Sequence, residues 1–398
     1  MTDFTDNSDF FLFPWRQGNQ FEPIIDGPNF IPQMLQAIQH SSQCIFLEMY
    51  LIESGTVSER FISSLLNAAE RGIEVYLLLD DYGAIGLKQE DRQRLVSNNI
   101  HLAYFNQLHS HNTLLNLYRV LLLKNEHALH RNHRKLLLVD NEIAFVGGIG
   151  LTDEFDPPEN SGKAWRETML KIQGPVVTDW RQLFISSWNQ NVEKDRQLIP
   201  VTATDYPITL AGSQYGRVSV NEIKHYSEIQ LSLSNQIDNA KHRVWLSTAY
   251  FVPSWRIRRA LKRAARTGVD VRLLLPGPIT DHPAVRHISH RLYGRLLKNG
   301  VRIFEYQPRF LHSKCALCDH WVSIGSSNYD RWNLRWNLEA NQEVSDAVLA
   351  GQIKQMFEND FTHSKEFCFK SWQQRSLHLR LLSWFWKQVE RISQKIGR

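Results

Sequence analysis

Two histidine–lysine pairs, each followed by an aspartate, are the residues of this 398-residue chain whose types and spacing best suit catalysis. Both have the pattern H-x-K-x₄-D, and a turn of small residues follows six or seven positions later. A single such pair is usually a solvated strand edge, but two copies at matching places favour one composite site. The predicted catalytic residues are His133, Lys135, Asp140, His312, Lys314 and Asp319.

These residue types suit group transfer at a phosphodiester. One neutral imidazole can attack phosphorus to give a phosphohistidine. The other, protonated, can donate to the leaving alkoxide and then deprotonate the incoming alcohol or water. Two lysines can neutralise the non-bridging oxygens, so neither a metal ion nor another cofactor is expected. We also expect an aspartate beside each imidazole, where it would fix the tautomer and favour the cation.

Strand geometry explains the spacing within each motif. In an extended strand, a histidine and the lysine two residues later project on the same side. The four residues before each aspartate, LLLV and CALC, are apolar, as in a strand buried by helices. The following turns can bring backbone N–H groups close to phosphate oxygens, which makes Gly147, Gly148 and Ser326 predicted substrate-binding residues.

A duplicated strand–helix–strand unit must position these motifs. The segment Leu65–Val75 recurs 196 residues later as Leu261–Val271, with the same leucine, alanine pair, glycine and valine. This repetition predicts an α/β fold with two αβ repeats related by a pseudo-twofold axis, which would bring both motifs to one shared cleft. The predicted boundaries are 17–198 for the first repeat, 199–222 for a linker, 223–362 for the second repeat and 363–398 for a basic amphipathic tail.

The sequence leaves the roles of two segments open. The first half has an insertion at 109–129 that is rich in leucine, and either a core helix or a lid beside the site would suit it. The tail from Ser376 onward has an apolar helical face opposite basic residues. It would suit an anionic membrane interface or a helix docked on the core.

Composition narrows the protein class. The net charge of +5 is compatible with phosphate-bearing partners, but no basic stripe with interleaved aromatics is evident, so nucleic acid is not expected. Four scattered cysteines predict neither disulfides nor a metal site, and reduced thiols fit a cytoplasmic setting. No signal peptide is apparent and no 18-residue apolar stretch occurs. A lipid substrate would therefore be reached from the membrane surface.

The duplicated motif resembles the phospholipase D superfamily, and the wider pattern resembles the short bacterial cardiolipin synthases of the B type, which lack N-terminal membrane spans. The resemblance covers about residues 17–362. The features that carry it are Gly27 with Phe30, Ala69-x-Arg71-Gly72, Gly147-Gly148, Trp165-Arg166-Glu167 before Gly174-Pro175, and Asn337-x-Glu339. It implies a sandwich of two αβ repeats that share one active site.

The resemblance also implies an activity. One phosphatidylglycerol would give its phosphatidyl group to His133 and release glycerol, His312 would act as acid and base, and a second phosphatidylglycerol would accept the group. Asn328 and Glu339 join the predicted substrate-binding residues. The implied setting is peripheral, on an anionic membrane surface at the cytoplasmic face of the bacterial inner membrane. Protein partners are unknown.

Two departures and three alternatives stay open. The family often has asparagine where Gly150 stands, and Glu167 follows its turn at a different distance from that of Glu339. A hydrolytic phospholipase D and a nuclease-type phosphodiesterase would use the same motif. A membrane-binding scaffold would keep the fold without the chemistry.

Overall fold

The computed structural model describes residues 10–96, 99–107, 130–159, 162–199, 209–222, 227–330 and 336–374. The strands in these ranges are β1 (Arg16–Ile25), β2 (Cys44–Met49), β3 (Glu74–Asp80), β4 (Ile100–Phe105), β5 (Arg131–Asn132), β6 (Leu136–Val139), β7 (Ile143–Gly147), β8 (Thr168–Gln173), β9 (Gln214–Asn221), β10 (Arg243–Ser247), β11 (Asp270–Pro276), β12 (Arg302–Tyr306), β13 (Cys315–Cys318), β14 (Trp321–Gly325), β15 (Asn337–Ser345) and β16 (Ser364–Phe367). The helices are α1 (Gly27–Gln39), α2 (Thr56–Glu70), α3 (Gln89–Arg94), α4 (Val177–Asn189), α5 (Glu228–Asn239), α6 (Trp255–Arg266), α7 (Pro283–Leu297), α8 (Ala347–Thr362) and α9 (Phe369–Gln373).

The chain divides into two compact units. Unit 1 comprises Met1–Ile229, Ile324–Ser327 and Leu334–Ser345, and unit 2 comprises Gln230–Ser323, Asn328–Asn333 and Asp346–Arg398. In unit 1 the strand order is β15-β9-β1-β8-β7-β6-β2-β3-β4, and in unit 2 it is β16-β12-β11-β10-β13, then the first part of β14. Because β9 and β15 belong to unit 1, the units differ from the two sequence repeats.

The predicted duplication is confirmed in the order and pairing of the elements. In the first repeat β2 pairs in parallel with β3, and β3 with β4. In the second, β10 pairs in parallel with β11, and β11 with β12. Helices α2 and α6 make the crossovers that parallel neighbours require. Each helix ends at a glycine with positive φ, 87° at Gly72 and 94° at Gly268, a conformation that glycine adopts without a steric penalty.

A buried strand lies inside each catalytic motif, between the lysine and the aspartate. All four residues of β6 and all four of β13 are buried, as their apolar sequences predicted. The expectation that each histidine and lysine lie within a strand is wrong, because these strands begin only at Leu136 and Cys315, one residue after the lysine. The segment His133–Lys135 has no regular structure and follows the two-residue strand β5, which pairs with β15.

Parts of the predicted linker and tail are strands. Gln214–Asn221, inside the predicted linker 199–222, forms β9 and pairs with both β1 and β15. Ser364–Phe367, inside the predicted tail, pairs with β12 as β16. These pairings are contacts between residues far apart in sequence, and local composition does not report them. The insertion at 109–129 and the tail from Ser376 lie outside the described residues.

Candidate active site

His133 is fixed by strand β15 and a buried carboxylate of unit 1. Its backbone N–H donates to the Leu338 carbonyl at 2.9 Å. Its ring Nδ1 forms a hydrogen bond of 3.1 Å with Oε2 of Glu339 and lies 2.9 Å from Oε1, and this side chain has no exposed surface. The hydroxyl of Ser326 also donates to the Glu339 carboxylate. With the Nδ1 proton donated to Glu339, the imidazole lone pair is on Nε2, the arrangement that an attacking histidine needs.

Lys135 and Tyr50 pack against this imidazole. Lys135 is 4% exposed, and its ammonium donates to the backbone carbonyl of His133. The ammonium lies 5.0 Å above the centre of the Tyr50 ring, and that ring is 4.7 Å from the His133 ring. Burial raises the pKa of Tyr50, so its phenol stays neutral. Tyr50 was not predicted from the sequence. Its position directly after β2 was the available signal, since sites on α/β sheets gather at the carboxyl ends of parallel strands.

A second layer of polar residues holds the segment that precedes His133. The backbone N–H of Asn132 donates to Asp80 at 2.9 Å, and the Asn132 side-chain amide donates to Glu48 at 2.6 Å. Burial raises the pKa of Asp80 to about 6, and burial also raises the pKa of Glu48. None of these three residues was predicted from the sequence. They come from the strands β2, β3 and β5, which meet only in the folded chain.

The second motif lies in unit 2, and its histidine and lysine are buried. His312 is 9% exposed and Lys314 is fully buried. The Lys314 ammonium lies 2.9 Å from the His312 ring Nδ1 and 2.8 Å from Nε2, and it donates to the backbone carbonyl of His312. Asn328 is also fully buried, and its side-chain oxygen accepts from the Thr248 hydroxyl at 3.2 Å. The structure therefore brings His312 and Lys314 into direct contact.

The two motif aspartates do not lie at the imidazoles, and this expectation is wrong. The Asp140 carboxylate accepts hydrogen bonds from the backbone N–H groups of Ser42, Gln43 and Cys44. The Asp319 carboxylate accepts in the same way from those of Lys241, His242 and Arg243. Both have positive φ in the turn after their strand, 53° and 51°, which points the carboxylate at the loop before the neighbouring strand. They anchor the strands β2 and β10.

The small-residue turns permit close packing of neighbouring chain. A Cβ atom on Gly147 would lie 2.3 Å from the Met169 sulfur, and one on Gly148 would lie 2.3 Å from the Glu167 carboxylate. Glu167 thus lies next to Gly148 in the first turn, as Glu339 lies next to Ser326 in the second. The two glutamates therefore occupy equivalent positions in the two repeats. Contact of these turns with phosphate stays a prediction.

A steric contact explains why glycine stands at position 150. A Cβ atom there would meet the Leu51 side chain at 3.0–3.2 Å, closer than most such contacts. The leucine thus occupies space next to the position where the family often has asparagine.

Comparison with known proteins identifies the family. The sequence profile described as "Cardiolipin synthase, PLD-like domain" matches residues 34–188 and 233–361, which include both motifs. Cardiolipin synthase B of Salmonella typhi is 32% identical over 343 residues, covering 83% of this chain and 78% of that protein. Cardiolipin synthase 1 of Staphylococcus aureus (strain MRSA252) is 30% identical over 375 residues, covering 92% and 72%.

A solved structure has the same fold. Phosphatidylserine synthase of Haemophilus influenzae Rd KW20 superposes with a TM-score of 0.72 at 11% identity, covering 98% of this chain and 97% of that one. At this identity the likeness concerns the fold alone, and it confirms the predicted phospholipase D-like α/β fold. Together with the family profile, these relatives show that the chain belongs to the cardiolipin synthase family of phospholipase D-like enzymes.

Proposed function

We propose that this protein is a cardiolipin synthase that transfers a phosphatidyl group from one phosphatidylglycerol to another through a phosphohistidine. The observation that carries the proposal is the His133 imidazole, whose Nδ1 is held 2.9 Å from the buried Glu339 carboxylate beside the buried ammonium of Lys135. This arrangement supplies a nucleophile with a fixed tautomer next to a positive charge that attracts phosphate.

In the first half-reaction, Nε2 of His133 attacks phosphorus of the donor lipid, and the bond from phosphorus to the glycerol headgroup breaks. His312, protonated, gives its proton to the departing glycerol oxygen. The ring of His133 gains positive charge as the phosphorus–nitrogen bond forms, and the Glu339 carboxylate stabilises that charge. Lys135 and Lys314 neutralise the non-bridging oxygens of the phosphate.

In the second half-reaction, His312 removes the proton from a glycerol hydroxyl of the acceptor phosphatidylglycerol. That oxygen attacks phosphorus, the phosphorus–nitrogen bond to His133 breaks, and cardiolipin leaves. In the structure the Lys314 ammonium contacts the His312 ring. A bound phosphate attracts the ammonium of Lys314 away from the ring, which then accepts and donates the proton. One phosphodiester replaces another, so the exchange is nearly balanced in free energy.

The proposed partners are phosphatidylglycerol and an anionic membrane surface, which the protein meets peripherally at the cytoplasmic face of the bacterial inner membrane. In the described ranges, no helix is long and apolar enough to span a bilayer. The free cysteines Cys44, Cys315, Cys318 and Cys368 support a reducing compartment.

The proposal is tested by incubating purified protein with phosphatidylglycerol in mixed micelles and analysing the lipids by mass spectrometry. Cardiolipin and glycerol in equal amounts are expected. His133→Ala should abolish both products, whereas His101→Ala should leave them unchanged, since His101 pairs with Glu74 on the exposed surface of unit 1. Phosphatidic acid without cardiolipin would instead identify a hydrolytic phospholipase D. Faster cleavage of single-stranded DNA would identify a nuclease.

A further inference from the structure

Helix α6 in unit 2 presents a basic face that was not predicted from the sequence. Ile257, Ala260, Leu261 and Ala264 are buried and form its packing face. Its exposed residues are Trp255, Arg256, Arg259, Arg263 and Arg266. The four arginines are three or four residues apart and therefore follow one another along the helix surface.

Packing does not account for this charge, as the matching helix of the first repeat shows. At the same offset of 196 residues, α2 buries Leu65 and Ala68 where α6 buries Leu261 and Ala264. The exposed positions differ: where α6 has Arg259, Arg263 and Arg266, α2 has Ser63, Asn67 and Glu70. Since α2 forms the same packing face without these arginines, packing does not require their charge. The charge is therefore available for contact with another molecule.

The arginines are largely uncompensated. Arg263 forms an ion pair with Asp238. Among the described residues, Arg256 and Arg266 have no acidic partner, and Arg259 instead lies over the Trp255 ring at 5.1 Å. Trp255 is 64% exposed. An exposed indole next to a row of arginines combines an apolar surface with positive charge.

This surface begins at the edge of the sheet that carries the second catalytic motif. Trp255 follows the carboxyl end of β10, where Ser247 pairs with Cys315, the residue after Lys314. Ile279 follows the carboxyl end of β11 at the same edge and is 52% exposed. Trp255 and Ile279 therefore follow strand ends at the same sheet edge as the start of β13, which His312 precedes by three residues.

We propose that α6 docks unit 2 on an anionic phospholipid surface, with Trp255 and Ile279 entering the headgroup region and the arginines facing the lipid phosphates. Tryptophan favours the boundary between headgroups and acyl chains, and basic residues favour anionic lipid. A nucleic acid would also attract the arginines, but it would not account for the exposed isoleucine. The inference rests on the proposed function for its lipid setting, and it assigns which face of the protein meets the membrane.

The test is flotation of the full chain with vesicles of phosphatidylcholine and phosphatidylserine, which need no phosphatidylglycerol. Arg256→Gln/Arg259→Gln should weaken binding by about 25-fold, at about fivefold for each charge. Trp255→Ala should weaken it by about tenfold through the lost apolar contact, and Trp255→Phe should recover most of that loss. The control Lys354→Gln/Lys365→Gln removes the same charge from α8 and β16 and should stay within twofold.

Unchanged vesicle binding in Arg256→Gln/Arg259→Gln and in Trp255→Ala would overturn the inference, as would a wild-type protein that does not bind these vesicles. Loss of single-stranded DNA binding without loss of vesicle binding would assign the face to nucleic acid instead. Phosphatidyl transfer in detergent micelles is measured on the same proteins, and Trp255→Ala should retain it. Vesicle binding without any transfer would contradict the proposed function and leave the docking face standing.

Discussion

Replacing Glu339 by glutamine should lower kcat for phosphatidyl transfer by about 10²- to 10³-fold. The substitution keeps the size of the side chain and an oxygen that can accept the His133 Nδ1 proton, but it removes the negative charge. That charge lies 2.9 Å from a ring that becomes cationic when the phosphorus–nitrogen bond forms. At an effective dielectric constant of about 20, charges about 4 Å apart interact by about 4 kcal/mol, and every 1.36 kcal/mol is about tenfold in rate.

The assay is initial-rate formation of cardiolipin in mixed micelles at saturating phosphatidylglycerol, with the folded fraction measured by thermal unfolding. Glu343→Gln is the matched control. Glu343 lies on the same strand and is equally buried, but it pairs with Arg217 at 2.8 Å. Breaking that pair should cost about 3–5 kcal/mol of stability and leave kcat of the folded protein within about threefold. If Glu339→Gln also stays within threefold, the charge of Glu339 plays no part in the attack by His133.

Three further predictions concern stability and the residues around the site. Because burial raises the pKa of Asp80 from 3.8 to about 6, its contribution to stability is fully present below about pH 4 and is lost as the pH rises through 6. Urea unfolding should show a loss of about 3 kcal/mol over that interval that is absent in Asp80→Asn, and parallel pH profiles would count against this reading. Asp140→Asn should lower the free energy of unfolding by about 1–3 kcal/mol and leave the rate of transfer per folded molecule within threefold. A loss of kcat without a loss of stability would instead show that Asp140 acts on the imidazole. Gly150→Asn should lower the free energy of unfolding by about 1–3 kcal/mol, because the new side chain crowds Leu51. A double-mutant cycle with Leu51→Ala should show coupling between the two positions, and additive effects would exclude the clash.

The sequence predicted the parts of the fold that depend on local pattern. The apolar runs LLLV and CALC became the buried strands β6 and β13, and Gly72 and Gly268 end helices α2 and α6 as the repeat implied. The positions of β9 and β15 within unit 1 were not predictable in this way. Strand pairing depends on partners far along the chain, and the sequence pattern does not name them.

The site was predictable to the level of the paired motif. Glu339 was identified as a substrate-binding residue, but the structure places it against His133 as the partner of the imidazole. Asp140 was placed at the imidazole because a carboxylate there would fix the tautomer and favour the cation. The positive φ at Asp140, which turns its carboxylate away to the loop before β2, is a property of the folded turn. Tyr50 and Asp80 reach the site from the ends of other strands and belong to no motif.

Mapping the phosphohistidine shows which histidine attacks phosphorus. Wild-type protein is mixed with phosphatidylglycerol labelled in its phosphate, quenched within one turnover, digested and analysed by mass spectrometry under conditions that preserve phosphohistidine. The label is expected on His133, and no trapped label is expected in His133→Ala. Label on His312, or a full yield of labelled enzyme in His133→Ala, would show that His133 is not the nucleophile.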